Sequence, residues 1–221
     1  MKRRTLDLLF SAGALAVAGL LLVLGLVMTS NANFARNYVK DQLSEQHISF
    51  KPADALTDEE AQSACLVKYA GEPLTTGKQA ECYANDFIGL HLKSIADGQT
   101  YADLGEPEMA LEDEVAAAQE ANDPALEDLQ AQLAELTDQR ETLFQGETLR
   151  GLLLTSYGFS VFGVKGEQVA TVAYLVAALL AVLALAGLIH AFKTPKDETV
   201  AALTPTTETN DTVDDRPLLG V

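Results

Sequence analysis

The sequence predicts a mainly α-helical protein in which two transmembrane helices flank a helical, disulfide-stapled extracytoplasmic domain. The 221-residue chain has a formal net charge of −17, yet its mean hydropathy is slightly positive at +0.09. The two values are compatible because the apolar residues are concentrated in two blocks, residues 8–28 and 168–192. Neither block contains an acidic or basic side chain except His190 in the second. The only two cysteines, Cys65 and Cys82, lie between the blocks. Such an acidic chain lacks the basic footprint that nucleic acid requires, which excludes nucleic acid as a partner.

Each block is long enough to cross a bilayer. Residues 8–28 would form a helix of roughly 31 Å, about the thickness of the hydrocarbon core. Basic residues precede the first block and follow the second (Lys2, Arg3, Arg4, Lys193 and Lys196). Positive residues beside a span stay in the cytoplasm. We therefore expect a plasma-membrane protein with residues 1–7 and 193–221 in the cytoplasm and residues 29–167 outside it.

A cleaved signal peptide is the alternative for the first block. Ser30-Asn31-Ala32 offers small residues at the offsets of a cleavage site. The apolar region of a signal peptide is about 7–15 residues long. The first block is longer, so we expect it to be retained as an anchor.

Small residues recur at helical spacing in both blocks. They are Ala12, Ala16 and Gly19 in the first block, and Ala170, Ala173, Ala177, Ala181 and Ala184 in the second. Such stripes let transmembrane helices approach closely. They predict either that the two spans pack together or that Ala173, Ala177 and Ala181 dock on a partner's helix, and a chance pattern in an Ala-rich sequence is the third possibility.

Three helices are predicted in the first part of the external segment. One continues out of the membrane, with four apolar residues on one face (Phe34, Tyr38, Val39 and Leu43). The second begins at the capping box Thr57–Glu60 and ends at Gly71. The third runs from Thr75-Thr76 to Gly98, and its expected apolar face is Tyr83, Phe87, Leu90 and Ile95.

The two cysteines fall on the second and third of these helices. By the topology above they lie on the oxidising side of the membrane, where a Cys65–Cys82 disulfide is the expected form. The bridge would close a 17-residue loop, worth about 3 kcal/mol in the chain-entropy model. Two free buried thiols are the alternative.

An acidic helical hairpin is predicted at residues 105–147, which hold thirteen acidic residues and one basic residue, Arg140. Asn122-Asp123-Pro124 separates a helix at 108–121 from a second helix that starts at Pro124. Leucines follow at heptad spacing (Leu126, Leu129, Leu133, Leu136 and Leu143). The stripe predicts either a coiled-coil dimer or an intrachain hairpin. The like charge around it opposes self-pairing and favours the hairpin.

Two further segments complete the chain. Residues 151–164 are uncharged but too short to span a bilayer, so we expect them at the outer membrane interface or at the base of the disulfide domain. Residues 193–221 are rich in Thr, Asp and Pro, which predicts a disordered tail.

The sequence carries no pattern typical of a catalytic or cofactor site. It has no Gly-rich phosphate loop, Cys-x-x-Cys or His-Glu-x-x-His. Only His47 and His91 lie in the external segment. A non-haem iron oxygenase needs two histidines and a carboxylate on one face, and these two have no metal-ligand spacing. We therefore expect no cofactor, no metal and no catalytic residue.

Two short motifs follow the disulfide region. The first, residues 98–104, reads Gly-Gln-Thr-Tyr-Ala-Asp-Leu, and the second is Leu149-Arg150-x-x-Leu153-x-Thr155-Ser156, followed by Phe159 and Gly163. Both resemble motifs of a family of small actinobacterial two-span membrane proteins, whose members often carry the automatic name of an aromatic ring-opening dioxygenase. That family has an N-terminal anchor, an external segment with two cysteines, a Gly-Lys-Thr-Tyr-Ala-Glu-Leu-like motif and a second span.

The resemblance covers the anchor, residues 65–104 and residues 149–192. It implies the same two-span architecture for this chain. Gln99 stands where the family usually has lysine. The acidic residues 105–146 have no counterpart and would be an insertion.

These observations predict a non-catalytic role, as an accessory or scaffolding subunit of a larger envelope complex. The partners expected are the lipid bilayer and another membrane protein. The leucine edge at Leu126, Leu129, Leu133 and Leu136 is a candidate contact, because it lies on an acidic hairpin that can meet a basic partner. The alternatives are a membrane-bound enzyme, such as a metal-dependent oxygenase, and a sensor of an external signal.

Overall fold

The computed structural model describes residues 2–195 and 198–199. Over this part the chain is mainly α-helical and contains no β-strand. Its helices are α1 (Arg3–Ser44), α2 (Ala64–Tyr69), α3 (Gly77–Cys82), α4 (Gly89–Ile95), α5 (Gly105–Ala121) and α6 (Leu126–Lys193). The mainly α prediction is confirmed, while most of the predicted disordered tail lies outside the described residues.

Two helices, α1 and α6, are long and apolar enough to cross a membrane. In each helix, only 17% of the most apolar 18-residue stretch is buried inside the protein. The core helix of a soluble protein would be mostly buried instead. Large apolar side chains face outward along both helices, as at Leu20 and Leu175, which are 71% and 67% exposed.

Helix α1 joins the first apolar block to the predicted extension outside it. Val39 and Leu43, on the expected apolar face, are buried. Phe34 and Tyr38, predicted on the same face, are 62% and 51% exposed, so the buried face is narrower than expected. Ala32 and Ala35 are buried instead, because small side chains face α6 at this level.

Helix α6 is a single helix of 68 residues. The second arm of the hairpin, residues 151–164 and the second apolar block were predicted as three segments. Their continuity arises because no proline interrupts them, and a glycine inside a helix weakens it without ending it. Leu153 is buried in the same core as Cys82, which agrees with the second expectation for residues 151–164.

The chain divides into two compact units. One comprises residues 1–21 and 175–221, and the other residues 22–174. In the first unit, a Cβ added at Gly187 would collide with the Ser11 side chain. Ser11 and Ala18 are buried there, whereas the predicted stripe residues Ala12, Ala16 and Gly19 are exposed. Ala12, Ala16 and Gly19 therefore do not pack against α6, because the buried positions of α1 recur every seven residues along a different face, and docking of this stripe on a partner's helix stays a prediction.

The second unit has a core built on the connection between α1 and α5. Its fully buried side chains include Leu66, Leu74, Leu143 and Glu60. The capping box of Thr57 and Glu60 forms, with Thr57 N donating to Glu60 and Glu60 N donating to Thr57. It caps a single 3₁₀ turn, Glu60–Gln62, rather than the helix expected there. Helix α2 begins only at Ala64, where the Ser63 side chain caps it.

Helices α3 and α4 are joined by a π-helical turn at Tyr83–Ile88. Thr76 caps α3 in a capping box with Gln79, as the predicted start required. The apolar face is displaced from the one predicted: Ala80, Ala84, Ile88 and Leu92 are buried, while Tyr83, Phe87, Leu90 and Ile95 are half-buried. Small alanines allow neighbouring backbone to approach, and the larger rings pack at the edge of the core, with Tyr83 and Phe87 at 4.6 Å between ring centroids.

The acidic hairpin forms within the chain. Helix α5 ends at Ala121, and Asn122 takes the left-handed conformation with φ of 50°. Leu143 is buried, and four leucines of the stripe are half-buried: Leu126, Leu129, Leu133 and Leu136. The contact with α5 is completed by Thr137 Oγ1, which donates to Glu108 at 2.8 Å.

Candidate functional site

The predicted disulfide is present. Cys65 of α2 and Cys82 at the end of α3 are bonded, with Cα atoms 6.0 Å apart. Beside it, the Asp86 carboxylate accepts a hydrogen bond from Ser63 Oγ at 2.6 Å and lies 3.0 Å from Cys65 Sγ. A negative charge at this distance repels an approaching thiolate, so it slows reduction of the bond.

Cys65, Cys82 and Asp86 form the one cluster of possible metal-ligand side chains among the described residues. Their ligand atoms lie within 4.8 Å of one another. A metal-binding cysteine must be a thiolate, and both sulfurs are in the disulfide. In its oxidised form the cluster therefore does not offer a metal centre.

The two histidines between the apolar blocks, His47 and His91, occupy different environments. His47 lies in the turn after α1 with φ of 52°. His91 of α4 has its Nε2 atom 3.5 Å from Glu60 Oε1, and its Nδ1 atom lies 2.7 Å from the Phe87 carbonyl oxygen. They do not form a ligand cluster with a carboxylate in the part of the chain that the structure describes.

Glu60 is a buried carboxylate that the sequence analysis treated only as a helix cap. It is 1% exposed and accepts hydrogen bonds from Lys51 Nζ at 2.7 Å and from the Thr57 backbone N–H at 2.8 Å. Burial raises the pKa of Glu60, but the hydrogen bonds from Lys51 and Thr57 outweigh it and hold the pKa below its ordinary value. Lys51 Nζ also lies 5.2 Å from the Phe87 ring centroid. This group ties the turn before α2 to the core, and its burial leaves no room for a substrate.

The two motifs that carry the family resemblance meet at one cavity of about 220 Å³. Residues 98–101 line it from one side and Arg150 from the other. Arg150 donates to Glu147 at 3.1 Å and to Asn85 at 3.3 Å. Its buried Nε atom has no hydrogen-bond partner. The sequence could not show this contact because some fifty residues separate the motifs.

A second meeting point lies at the base of the hairpin. Arg140, which fills the gap in the leucine stripe, pairs with the buried carboxylate of Glu108. Hydrogen bonds from Thr137 and Arg140 lower the pKa of Glu108. The guanidinium also stacks on Tyr101, with 4.3 Å from Cζ to the ring centroid. Tyr101 in turn contacts Phe144, with 5.6 Å between centroids.

The alanines predicted to bind a partner are mostly covered within the chain. Ala173 and Ala177 are 5% and 1% exposed, and Ala181 is half-buried. Of the two readings of this stripe, the burial of Ala173 and Ala177 favours packing within the chain, and docking on a partner's helix stays a prediction. The expectation that the spans pack through small residues accounts for their burial.

Comparison of the chain with protein-family models, with curated proteins and with solved structures gives no match. The resemblance to the actinobacterial family therefore stays a prediction.

Proposed function

We propose that the protein is a non-catalytic accessory or scaffolding subunit that is anchored in the cell membrane by two spans and binds another membrane protein through its acidic hairpin. Both termini are cytoplasmic and residues 29–167 are outside in this proposal. The basic residues beside the spans and the external disulfide support this orientation.

One observation carries the proposal: an exposed aromatic pair at the base of a strongly acidic hairpin. Tyr101 and Phe144 are 40% and 55% exposed although their rings pack against each other at an interplanar angle of 49°. Exposed aromatic rings beside an arginine are the side chains that most often dominate protein–protein binding. Arg140, fixed by Glu108, supplies that arginine.

The charges around this pair favour a basic partner. Of the thirteen acidic residues of the hairpin, Glu108 and Glu147 form ion pairs with arginines. The other eleven are exposed, and none forms an ion pair with the described residues. A surface with this charge steers a basic surface toward the aromatic pair.

The position of the aromatic pair along α6 indicates which part of a partner is contacted. Phe144 lies 24 residues before Gln168, so about 36 Å of helix separates it from the second apolar block. The partner surface must therefore lie in an external domain and not in a transmembrane helix.

The test compares capture of proteins by three forms of the full-length chain in mild detergent. These are the wild type, a double variant Tyr101→Ala/Phe144→Ala, and the control Val67→Ala, which removes an equally exposed apolar side chain from α2. We expect one membrane protein to be enriched by the wild type and the control and lost from the double variant. Mass spectrometry identifies it, and its external surface should be basic.

Equal capture by all three forms would contradict the proposed surface. A catalytic role would gain support if His47→Ala abolished a cellular phenotype that Tyr101→Ala/Phe144→Ala left intact.

Orientation is tested separately with protease added to intact cells. We expect cleavage within residues 105–146 and an intact C-terminal tail, followed through an epitope at the C-terminus. Cleavage of the tail in intact cells would reverse the orientation. A mature N-terminus at Asn33 would show that the first block is a signal peptide.

A further inference from the structure

A cavity of about 620 Å³ lies beside the apolar blocks in the unit formed by residues 22–174. Helices α1, α3 and α6 all contribute to its wall. Val39, Gly163 and Val164 make the wall largely apolar. The volume is in the range of cavities that hold small-molecule ligands.

Three cations and no carboxylate line this cavity. They are Arg36 and Lys40 of α1 and Lys78 of α3, three of the nine basic residues between residues 29 and 167. Arg36 pairs with Glu167, and Lys78 donates to Glu81 at 2.9 Å. Lys40 forms no ion pair with any residue that the structure describes. With these two carboxylates counted, the group carries a net charge of +1, in a segment with a net charge of −16.

Helix geometry places the floor of the cavity at the outer edge of the lipid headgroups. Arg36 follows Met28 by eight residues, which is about 12 Å of helix, and Gly163 precedes Gln168 by five residues, about 8 Å. The headgroup layer of a bilayer is roughly 5–8 Å thick on each side of the hydrocarbon core. The floor of the cavity at Gly163 therefore borders this layer, and the Arg36 guanidinium reaches down to it, since it pairs with Glu167, one residue before the second apolar block.

We propose that this cavity binds the headgroup of an anionic phospholipid from the adjacent leaflet. The phosphate lies at the Arg36 end of the cavity, in the field of Lys40 and Lys78. The glycerol backbone lies against Val164, nearer the hydrocarbon core than Arg36. The apolar wall favours a lipid over a free anion, since a small hydrated anion gains nothing from valine side chains. The site depends on membrane insertion but not on which side of the membrane residues 29–167 occupy.

The experiment measures lipid binding to the purified full-length chain in detergent by native mass spectrometry. Phosphatidylglycerol is compared with phosphatidylcholine of the same acyl chains. The test variant Lys40→Gln/Lys78→Gln is matched by Lys68→Gln/Lys93→Gln, which removes the same charge from lysines outside the cavity. We expect phosphatidylglycerol to bind the test variant roughly 10- to 30-fold more weakly than the wild type, because each membrane-proximal lysine is worth about 1 kcal/mol toward anionic lipid. The matched control should bind like the wild type.

A steric variant gives a second test that leaves every charge in place. Val164→Trp fills the cavity and should abolish the preference for phosphatidylglycerol, whereas Val169→Trp, at an exposed position outside the cavity, should not. The proposal is overturned if the wild type binds both lipids equally, or if the test variants bind phosphatidylglycerol like their controls. It is also overturned if water-soluble glycerol phosphate competes as effectively as the lipid, which would identify a free-anion site.

Discussion

The core around the disulfide and the paired apolar helices α1 and α6 are held together by different kinds of side chain. The largest fully buried side chains of the core include Leu66, Leu74 and Glu60, and a disulfide reinforces it. In the unit formed by residues 1–21 and 175–221, the buried residues of the helices are small: Ser11, Ala18, Ala177, Ala184 and Ala191. Large apolar side chains are therefore buried in the core around the disulfide, whereas on α1 and α6 they face outward.

Water around the core and a bilayer around α1 and α6 would explain this difference. In water, burying a leucine is favourable because it removes apolar surface from the solvent. In a bilayer the lipid tails are as apolar as leucine, so helices gain from close packing at small residues instead. The inversion within one chain is therefore physical support for a membrane environment at α1 and α6.

The largest expected effect comes from the disulfide. The pair of apolar helices has no such covalent cross-link, because Cys65 and Cys82 are the only cysteines of the chain. Reduction, or the double change Cys65→Ser/Cys82→Ser, should lower the free energy of unfolding of the external domain by about 3 kcal/mol. Urea unfolding in detergent, followed by tyrosine fluorescence, measures it. Reduction should also add two hydrogens to the intact mass.

The cysteine-free variant is the control for reductant. Its unfolding midpoint should be the same with and without reductant. An unchanged midpoint for the reduced wild type would show that packing alone holds α2 against α3.

The second prediction concerns the small residues of the spans. Ala177→Leu should destabilise the paired helices by about 2 kcal/mol, because added volume in a packed contact forces backbone shifts. In a chain of this size that corresponds to a melting temperature lower by about 4–8 °C. Val176→Leu is the matched control, since Val176 is 40% exposed on the same helix. Equal melting temperatures for the two variants would show that the spans do not depend on close approach at Ala177.

The parts of the fold that the sequence predicted correctly have local signals. Two uncharged blocks predicted the two long apolar helices, Thr76 predicted the start of α3, and Asn122-Asp123-Pro124 predicted the hairpin turn. The disulfide followed from Cys65 and Cys82 being the only cysteines of the chain. Each of these depends on residues near one another in the chain, or on a pair without competitors.

The parts that were missed depend on tertiary contacts. A capping-box pattern at Thr57–Glu60 is the same whether the carboxylate caps an exposed helix or is buried beside Lys51 from outside the motif. The meeting of Arg140, Tyr101 and Phe144 joins two elements about forty residues apart. Predicting which face of α1 is buried required knowing the seven-residue spacing of the opposing small residues in α6.

Glu60 provides the third prediction, which tests a polar contribution to the external core. Glu60→Gln keeps the shape of the side chain but removes its charge beside Lys51. We expect a loss of roughly 1–3 kcal/mol at neutral pH, typical of a lost charge-assisted hydrogen bond in a buried site. The matched control is Glu59→Gln, an exposed neighbour, which should leave stability unchanged.

The pH dependence of stability gives this prediction a direction. The folded pKa of Glu60 lies below the ordinary value of 4.5, so Glu60 contributes stability above pH 4.5. That contribution is lost as the pH falls from 4.5 through the folded pKa. Urea midpoints measured from pH 7 downward should fall less steeply for Glu60→Gln than for the wild type. Parallel curves would mean that Glu60 is not the carboxylate responsible.

The smallest effect is expected from the hydrogen bond between Tyr174 and Thr29, whose hydroxyl oxygens lie 3.1 Å apart. A Cβ at Gly25 would lie 2.5 Å from the Tyr174 ring, so the ring is already held by close packing against α1. Hydrogen bonds between membrane helices average about 0.6 kcal/mol, because the separated helices also find partners. Tyr174→Phe should therefore lower the melting temperature by only about 1–2 °C, and Tyr38→Phe, at an exposed tyrosine, should not lower it. If Tyr174→Phe lost as much stability as Glu60→Gln, polar contacts would hold this helix pair as they hold the core around the disulfide. The contrast between the two regions would then fail.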